Sequence, residues 1–569
     1  MTITTLQPSP AQPLFLNPAA TTLAEVITGL AELEPDSRRR RELMSGIQTV
    51  ARVLTTPVEA IPADPSYIGR LLRAALPARH DVSAARWSNA LSLLRRALKL
   101  AGCQVMDGKR NHPLSPEWQM LMDALPSRYE RAQLSRFAGE LSRRKVLPEA
   151  VTVAMFDDFY IALTEDSLLT NPRDRYQRTV VAWNKARGQV AGWPEVVAPA
   201  LPGRETYVRP LSDFPASFQA DAQLWLGRLA GDSSMDEGPL KPVRPATLEK
   251  WAFALRQMAS ALVLQSVAIE KIASLADLLR EGHDERIVAF FYQRGQGAGH
   301  QVHGIVARLT ALARHHVVLD TGTRETLLVR LRRMSGKVAP DTRGMTDKNR
   351  RALKPFEAEH RRRQLVNLPA RIFDALPRRG RPSYGIAVRL QTALAVAILL
   401  SVPMRARNLA RLAFGSNLVS RDGTWWVEIP GSEVKNGQAI EMPLAARTGR
   451  LLEIYRERVL PVLTPVASRC VFPGQDGGHK AEVTQAQQIK SLMTRELGCP
   501  LSPHQFRHLV GYLYLLREPS GHEVVRIMLG HRSIETTIRF YAGMEGLAAA
   551  RQYDAMLQEL SDEPMADRG

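Results

Sequence analysis

Residues 501–545 of this 569-residue chain are LSPHQFRHLVGYLYLLREPSGHEVVRIMLGHRSIETTIRFYAGME. Within them lie a His-x-x-Arg motif from His504 to Arg507, a Leu-Gly-His motif ending at His531, and then Tyr541. An arginine neutralises phosphate charge with a planar fork of donors, histidines donate or accept protons, and a tyrosine hydroxyl can attack phosphorus. Each motif alone is commonly structural. Their order and spacing in one strongly basic chain indicate chemistry on a phosphodiester.

The local pattern places these residues on helices and their ends. His504 and Arg507 are three residues apart, so on a helix they share one face and can reach a single phosphate together. Pro503, just before them, suits a first helical turn. Gly530 is typical of a helix end, and Tyr541 falls at the end of the next helix.

Upstream of this stretch the sequence predicts a long helix over residues 384–400 and then a short β-hairpin. The hairpin strands are Thr424–Ile429 and, after a Pro-Gly-Ser turn, Glu433–Leu444. The longest apolar run, Thr392–Val402, is too short to span a bilayer and predicts a buried helix. The abundance of Ala, Leu, Arg and Glu predicts a mainly α architecture, with a small antiparallel β-sheet in the C-terminal domain.

The bulk composition limits the class of protein. A formal charge of +19 and a pI near 10.1 favour nucleic acid as the first candidate partner and an anionic membrane as the second. The three cysteines are widely spaced, which argues against a disulfide framework or a zinc ribbon and fits a reducing cytoplasm. The N-terminus lacks the layout of a signal peptide. We therefore expect a soluble, cytoplasmic protein.

The length predicts several domains. We expect a helical N-terminal region that is an arm-site DNA-binding module, a duplicated helical domain or a protein-interaction module. His300 and His303 lack nearby metal-binding partners, so we expect no metal there. The expected boundaries are a loosely ordered lead-in at 1–35, the N-terminal helical region at 36–195, a helical domain at 211–335, a basic linker at 336–364, a C-terminal domain at 365–560 and a tail at 561–569.

Residues 365–555 resemble the catalytic domain of the tyrosine recombinases, the phage-integrase family. That family carries Arg, Lys, His-x-x-Arg, Leu-Gly-His and Tyr in this order. Met404-Arg-Ala-Arg-Asn-Leu-Ala-Arg-Leu412 is similar to the family's first box, with Arg405 in the catalytic place. Lys435 lies in the β-hairpin, eight residues before the Pro-Leu pair that closes the second strand, as in the family.

The resemblance implies a role for each residue. The arginines would clamp the scissile phosphate, Tyr541 would attack it to give a 3′-phosphotyrosine, and Lys435 would protonate the departing 5′ oxygen. The two histidines would assist proton transfer and hydrogen-bond the phosphate. The implied catalytic set is Arg405, Lys435, His504, Arg507, His531 and the nucleophile Tyr541. No cofactor or metal is implied.

The sequence departs from the family pattern at two informative places. Asn408 replaces the glutamate that often follows the first arginine by three residues. The usual gap of nine residues after the Leu-Gly-His histidine ends on Phe540, so Tyr541 is one residue late. Either the last helix shifts by a residue or the enzyme is disabled. We favour the shift, which requires a local adjustment because one residue turns a helix by about 100°.

The expected function is a site-specific recombinase or integrase of a mobile element. Residues 211–335 would be the core-binding domain that closes on DNA. The alternatives are a type IB topoisomerase-like enzyme that relaxes DNA, and a DNA-binding protein that has lost catalysis. The expected partners are double-stranded DNA, three further copies of the chain in a synaptic tetramer, and accessory DNA-bending or co-recombinase proteins. No membrane partner is expected, and the location would be the nucleoid.

Overall fold

The computed structural model describes residues 21–106, 113–202, 206–231, 242–340 and 344–541 except 465 and 475, with a few positions between 550 and 558. In these residues the fold is mainly α, with one three-stranded antiparallel sheet in the C-terminal region, which confirms the predicted fold class. The chain divides into two compact units. One comprises Met1–Leu201 together with Gly344–Gly569, and the other comprises Pro202–Arg343.

The N-terminal region begins with four helices around one apolar core. They are α1 (Leu23–Leu33), α2 (Ser37–Leu54), α3 (Pro65–Leu72) and α4 (Ala84–Leu100). Leu30, Ile47 and Leu94 are fully buried between them. Thr22 and Asp36 cap α1 and α2 by accepting hydrogen bonds from first-turn amides, which supplies the partners that helix ends otherwise lack.

A second group of four helices in this region surrounds an aromatic core. They are α5 (Pro116–Asp123), α6 (Arg128–Arg143), α7 (Val153–Glu165) and α8 (Pro172–Arg187). Trp118 and Trp183 are buried with their ring centroids 6.1 Å apart. Each indole N–H donates to a backbone carbonyl at 2.8 Å, so burial of these rings leaves neither polar group unsatisfied.

The second unit has its own helical core. Its helices are α9 (Ala216–Ala230), α10 (Pro245–Leu264), α11 (His283–Arg294), α12 (His300–His315) and α13 (Thr321–Val338). Helix α10 begins at Pro245, because proline is well suited to a first helical position. Arg330 Nε lies 2.9 Å from the fully buried Asp284 carboxylate and balances its charge.

The segment expected as a basic linker, residues 336–364, is largely helical where it is described. Helix α14 (Asp347–Leu353) and the start of α15 (Glu359–Phe373) lie within it. Leu353 and Phe356 are fully buried in the C-terminal core. The segment is basic on its exposed side, but from Gly344 onward these apolar positions anchor it in the C-terminal domain, while residues 336–340 belong to the other unit.

The C-terminal domain packs its remaining helices around the small sheet. Val427 of the central strand pairs with Leu418 on one side and Met442 on the other. By length and composition α16 could cross a membrane, but 61% of it is buried in the fold, as the prediction of a buried helix requires. The elements are α16 (Tyr384–Ser401), α17 (Ala406–Ala410), β1 (Leu418–Arg421), β2 (Thr424–Ile429), β3 (Ile440–Pro443), α18 (Ala446–Ile454), α19 (Leu460–Leu463), α20 (Glu482–Leu497), α21 (Pro503–Leu515), α22 (His522–Leu529) and α23 (Ile534–Tyr541).

Candidate active site

Arg405 lies where the buried helix α16 gives way to the short helix α17. Val402 and Met404 are buried and hold this connection against the core. Arg405 is therefore presented from a fixed position while its own side chain stays half-buried. Burial lowers the pKa of Arg405, but a guanidinium starts so high that it remains a cation at neutral pH.

Arg507 is a buried cation that joins three separate segments. It is only 6% exposed on α21, and its Nη1 donates to the Pro403 carbonyl at 2.5 Å while Nη2 donates to the Leu529 carbonyl at 2.6 Å. Burial, followed by the nearby charge of Arg405, lowers the pKa of Arg507 to about 10, so it too is charged at pH 7. A guanidinium has five N–H donors, so it can hold both carbonyls and still bind a ligand oxygen.

His504 lies one turn from Arg507 and is exposed at the start of α21. Gln505 fixes this helix start by accepting a hydrogen bond from the Ser502 amide at 2.9 Å. Partial burial lowers the pKa of His504, and so do three neighbouring cations, the side chains of Arg507, Arg405 and Lys435. Arg507, Arg405 and Lys435 therefore all lie within electrostatic range of His504.

Lys435 is exposed on the turn between β2 and β3, and its neighbour Asn436 ties that turn to the site. The Asn436 side chain accepts from Arg405 Nη1 at 3.3 Å and donates to the Gly530 carbonyl. Its backbone carbonyl accepts from Arg532 Nη2 at 2.7 Å. Sequence reasoning missed Asn436. An Asn-Gly pair is an ordinary turn signal, and nothing local shows that its side chain reaches two distant motifs.

His531 follows Gly530, which ends α22 in the left-handed conformation with φ of 59°. Nδ1 of His531 lies 2.8 Å from the Thr537 hydroxyl. Burial, with the charges of Arg507 and Arg405, lowers the pKa of His531 to about 4. The ring is therefore neutral at pH 7 and can act as a hydrogen-bond donor without adding a further positive charge.

Tyr541, the predicted nucleophile, is fully buried. It ends α23, is 0% exposed, and its hydroxyl lies 3.4 Å from the backbone carbonyls of Arg507 and His508. A Cβ placed on Gly511 would lie 2.2 Å from the Tyr541 oxygen, so the ring occupies a slot that only glycine leaves open. Burial raises the pKa of Tyr541 above its ordinary value. In this conformation the hydroxyl is a protonated core group.

Phe540, which stands nine residues after His531, packs on the same helix. Its ring stacks on His508 with centroids 4.4 Å apart and planes 10° from parallel. His508 Nε2 lies 3.3 Å from His504 Nε2, so the series of ring contacts that begins at Phe540 reaches the predicted site. His508 thus packs between Phe540 and His504.

The buried His508 is expected to make stability depend on pH. Burial, with smaller contributions from neighbouring positive groups, lowers the pKa of His508 from 6.5 to about 3. An unfolded histidine takes up a proton near pH 6.5 whereas the folded one does not, so the unfolding free energy falls as pH drops below 6.5. Between pH 7 and pH 5 this group should cost on the order of 2 kcal/mol. Urea unfolding at both pH values measures it.

The matched variants for this measurement are His508→Gln and His479→Gln, the second at an exposed position of the same domain. His508→Gln should reduce the pH dependence by about this amount and leave the part that His531 contributes, whose pKa is also lowered, while His479→Gln should leave the wild-type dependence unchanged. Equal pH dependence in both variants would contradict the assignment.

In the described part of the chain, no group of three or more His, Cys, Asp or Glu residues could hold a metal ion.

Residues 383–545 match the sequence model of the phage integrase family, a span that contains every predicted site residue. Tyrosine recombinase XerC from Pseudomonas savastanoi pv. phaseolicola (strain 1448A / Race 6) is 30% identical over 158 residues, 28% of this chain. The chain spans about half the length of that relative, 50%.

Two solved structures show weaker similarity. XerH site-specific recombinase bound to palindromic difH substrate has 13% identity and a TM-score of 0.32, covering 61% of this chain and 98% of that one. A lambda integrase (75–356) dimer bound to a COC′ core site has 14% identity and a TM-score of 0.31, covering 56% and 96%.

Proposed function

Since residues 383–545 are a phage integrase family domain, we propose that this protein is a site-specific DNA recombinase of a mobile element. It would cut and rejoin DNA through a 3′-phosphotyrosine intermediate. The observation that carries the proposal is the convergence of Arg405, Lys435 and Arg507 around His504. The two arginines and the lysine are mutually repelling cations, which are costly to hold together unless an anion binds among them.

The net charge of the C-terminal domain supports DNA as that anion. Residues 344–569 hold 32 Lys and Arg residues against 22 Asp and Glu residues. A net positive domain attracts the phosphate backbone and releases its counterions, which makes binding strong at low salt. The proposed substrate is therefore double-stranded DNA, with the scissile phosphate between the two arginines.

The proposed reaction is a transesterification. The Tyr541 oxygen attacks phosphorus and loses its proton, the bond from phosphorus to the 5′ oxygen breaks, and Lys435 supplies a proton to that oxygen. Arg405 and Arg507 stabilise the charge that develops on the non-bridging oxygens. His504 assists removal of the tyrosine proton, and neutral His531 donates a hydrogen bond to the phosphate. Because the phosphotyrosine keeps the bond energy, a 5′ hydroxyl can reverse the step.

Attack requires Tyr541 to leave its slot. Helix α23 is short, and Ile534 and Ile538 on it are exposed, so only part of its surface anchors it to the domain. Its inner contacts are the buried Tyr541 ring, the stack of Phe540 on His508, and the Thr537 contact with His531. We therefore propose that the active conformation forms when DNA binds. Helix α23 would then move so that the Tyr541 hydroxyl faces Arg405 and Arg507.

A nicked suicide duplex tests the proposal because cleavage releases a short strand and traps the covalent complex. Nicked duplexes drawn from DNA flanking the protein's own gene and from a randomised library should give an adduct that survives SDS, in EDTA and without ATP. Sequencing the trapped strand then gives the site. Lack of any adduct from either pool would overturn the recombinase proposal.

One observation favours a second function, that of a DNA-binding protein without catalysis. The hydroxyl of Tyr541 is fully buried, and the ninth position after His531 holds Phe540, which has no hydroxyl. Under that alternative the cation cluster would bind duplex DNA without forming an adduct. Measuring duplex binding beside adduct formation separates the two functions.

The remaining parts of the chain take proposed roles in the same reaction. The unit Pro202–Arg343 would be the core-binding domain that holds the duplex. Four copies would assemble on paired sites in the nucleoid, with accessory proteins bending the DNA. The Ala- and Leu-rich pattern of residues 547–560 predicts an amphipathic terminal helix that would either pack on its own domain or dock on a neighbouring copy, and these residues lie largely outside the described part of the chain.

A further inference from the structure

The N-terminal region touches the C-terminal domain at the end of helix α20. The turn Pro77–His80, between α3 and α4, lies there, and Arg79 Nε donates to the Gly498 carbonyl at 2.9 Å. Gly498 follows α20 in the left-handed conformation with φ of 64°. Cys499, the next residue, is 3% exposed; burial raises the pKa of its thiol, and the nearby Arg79 charge opposes that rise.

Gly498 lets the two backbones approach closely. A Cβ at this position would lie 2.6 Å from Arg79 Cγ and 3.0 Å from the Arg79 backbone nitrogen, with the Ala78 carbonyl carbon at 3.5 Å. Backbone atoms cannot move aside as the end of a flexible side chain can. Any larger residue at 498 would therefore push the turn away or shift the chain after α20.

The chain after Gly498 leads directly to the candidate active site. Helix α21 begins at Pro503 and carries His504 and Arg507. The connection is short, and Cys499 and Leu501 within it are buried at 3% and 0% exposure. A packed segment of this length transmits a displacement at its start to the helix that it precedes.

The charge of the N-terminal region points away from a dedicated phosphate-binding role. Residues 23–201 hold 25 Lys and Arg residues against 20 Asp and Glu residues, which is close to balance. Part of this positive charge is already used within the fold, as in the contact between Lys185 and the buried Glu130. Its turn Pro77–His80, which packs on Gly498, is the feature by which this region can act on the C-terminal domain.

We infer that the N-terminal region is a docked module that positions helix α21, with Arg79 and Gly498 as the positioning residues. This inference rests on the proposed function, because it predicts a change in the cleavage rate. The module acts through the connection 499–502, so that undocking loosens His504 and Arg507 without removing any group that contacts DNA.

The first test compares Gly498→Ala with Gly380→Ala in the full chain. Both glycines have positive φ, 64° and 77°, so both variants carry the same kind of backbone strain, but nothing lies within 4 Å of a Cβ at 380. At saturating suicide duplex, Gly498→Ala should form the adduct about tenfold more slowly or worse than Gly380→Ala, since misplacement by a fraction of an ångström is enough. Duplex affinity should match in the two variants.

The second test avoids backbone strain. Arg79→Ala removes the hydrogen bond to Gly498, and Arg73→Ala changes another exposed arginine of the same module. Arg79→Ala should slow cleavage a few-fold, the scale of one lost hydrogen bond, with duplex affinity unchanged and only a small fall in melting temperature, because the Gly498 carbonyl loses a donor. On a Cys103→Ser, Cys470→Ser background, it should also speed labelling of the Cys499 thiol.

The outcomes separate this inference from the proposed function. Absence of an adduct from wild type would overturn the proposed function. If wild type forms the adduct and Gly498→Ala and Arg79→Ala cleave as fast as their controls, the docked module has no positioning role. Equal loss of cleavage in Gly498→Ala and Gly380→Ala would likewise overturn the inference.

Discussion

Replacing Arg507 with alanine is expected to lower the rate of covalent adduct formation by about 10³-fold or more, the scale on which donors to a transferring phosphoryl group act. The same change should lower stability, because the Pro403 and Leu529 carbonyls lose their donor. Each buried carbonyl left without a partner costs about 1–3 kcal/mol. Adduct formation on the suicide duplex and urea unfolding measure the two effects separately.

Substitution of Arg405 tests the expected loss of cleavage separately from the expected loss of stability. It is half-buried, and its described side-chain bond is a 3.3 Å contact with Asn436. Arg405→Ala should therefore lose cleavage to a similar degree with a smaller loss of stability, while duplex binding stays largely intact. Arg411→Ala, at an exposed position in the same segment, is the control. Equal losses of cleavage and binding would show that both arginines are general DNA contacts.

The parts of the site that the sequence could predict are those set by local geometry. The shared face of His504 and Arg507 follows from their spacing of three, and the start of α21 follows from Pro503. The first hairpin strand, β2, begins and ends where predicted, at Thr424 and Ile429, but the second strand is only Ile440–Pro443 instead of the expected Glu433–Leu444, because the chain after β2 first makes a helical turn over Gly431–Glu433. These features depend on residues within one or two helical turns.

The parts that could not be predicted depend on contacts between distant segments. Asn436 reaches Gly530, 94 residues along the chain, and no local pattern specifies that hydrogen bond. The basic composition of residues 336–364 suggested a linker, but the burial of Leu353 and Phe356 is decided by the core that they meet. The docking of Arg79 on Gly498 spans 419 residues. Tertiary packing alone determines such pairs.

The slot that holds Tyr541 also depends on contacts between distant segments and could not be predicted from the sequence. Gly511 lies 30 residues earlier and matters only because α21 and α23 pack against each other. The sequence showed that Tyr541 was one residue late, and a rotation of about 100° on a helix turns a side chain from one face to another. The fold gives the consequence, since Phe540 lies on the His508 side while Tyr541 points into the core.

Replacing Tyr541 with phenylalanine is expected to abolish the SDS-stable adduct, because the hydroxyl is the proposed nucleophile and phenylalanine has none. Folding should be preserved. The change removes one oxygen whose two contacts are long, 3.4 Å each, and the ring still fills the slot at Gly511. Duplex affinity and the urea midpoint should therefore match wild type. Tyr384→Phe, at a tyrosine that is 45% exposed at the start of α16, is the control and should form the adduct normally.

Phe540 allows a sharper version of this experiment. The double change Tyr541→Phe with Phe540→Tyr moves the hydroxyl to the ninth position after His531, on the side of the helix that stacks on His508. If α23 shifts so that Tyr541 attacks, a hydroxyl at 540 is out of phase and the double variant should stay inactive. An adduct from the double variant would place the reactive position at 540. An adduct from Tyr541→Phe alone would exclude Tyr541 as the nucleophile, and mapping the phosphotyrosyl peptide would identify the residue that replaces it.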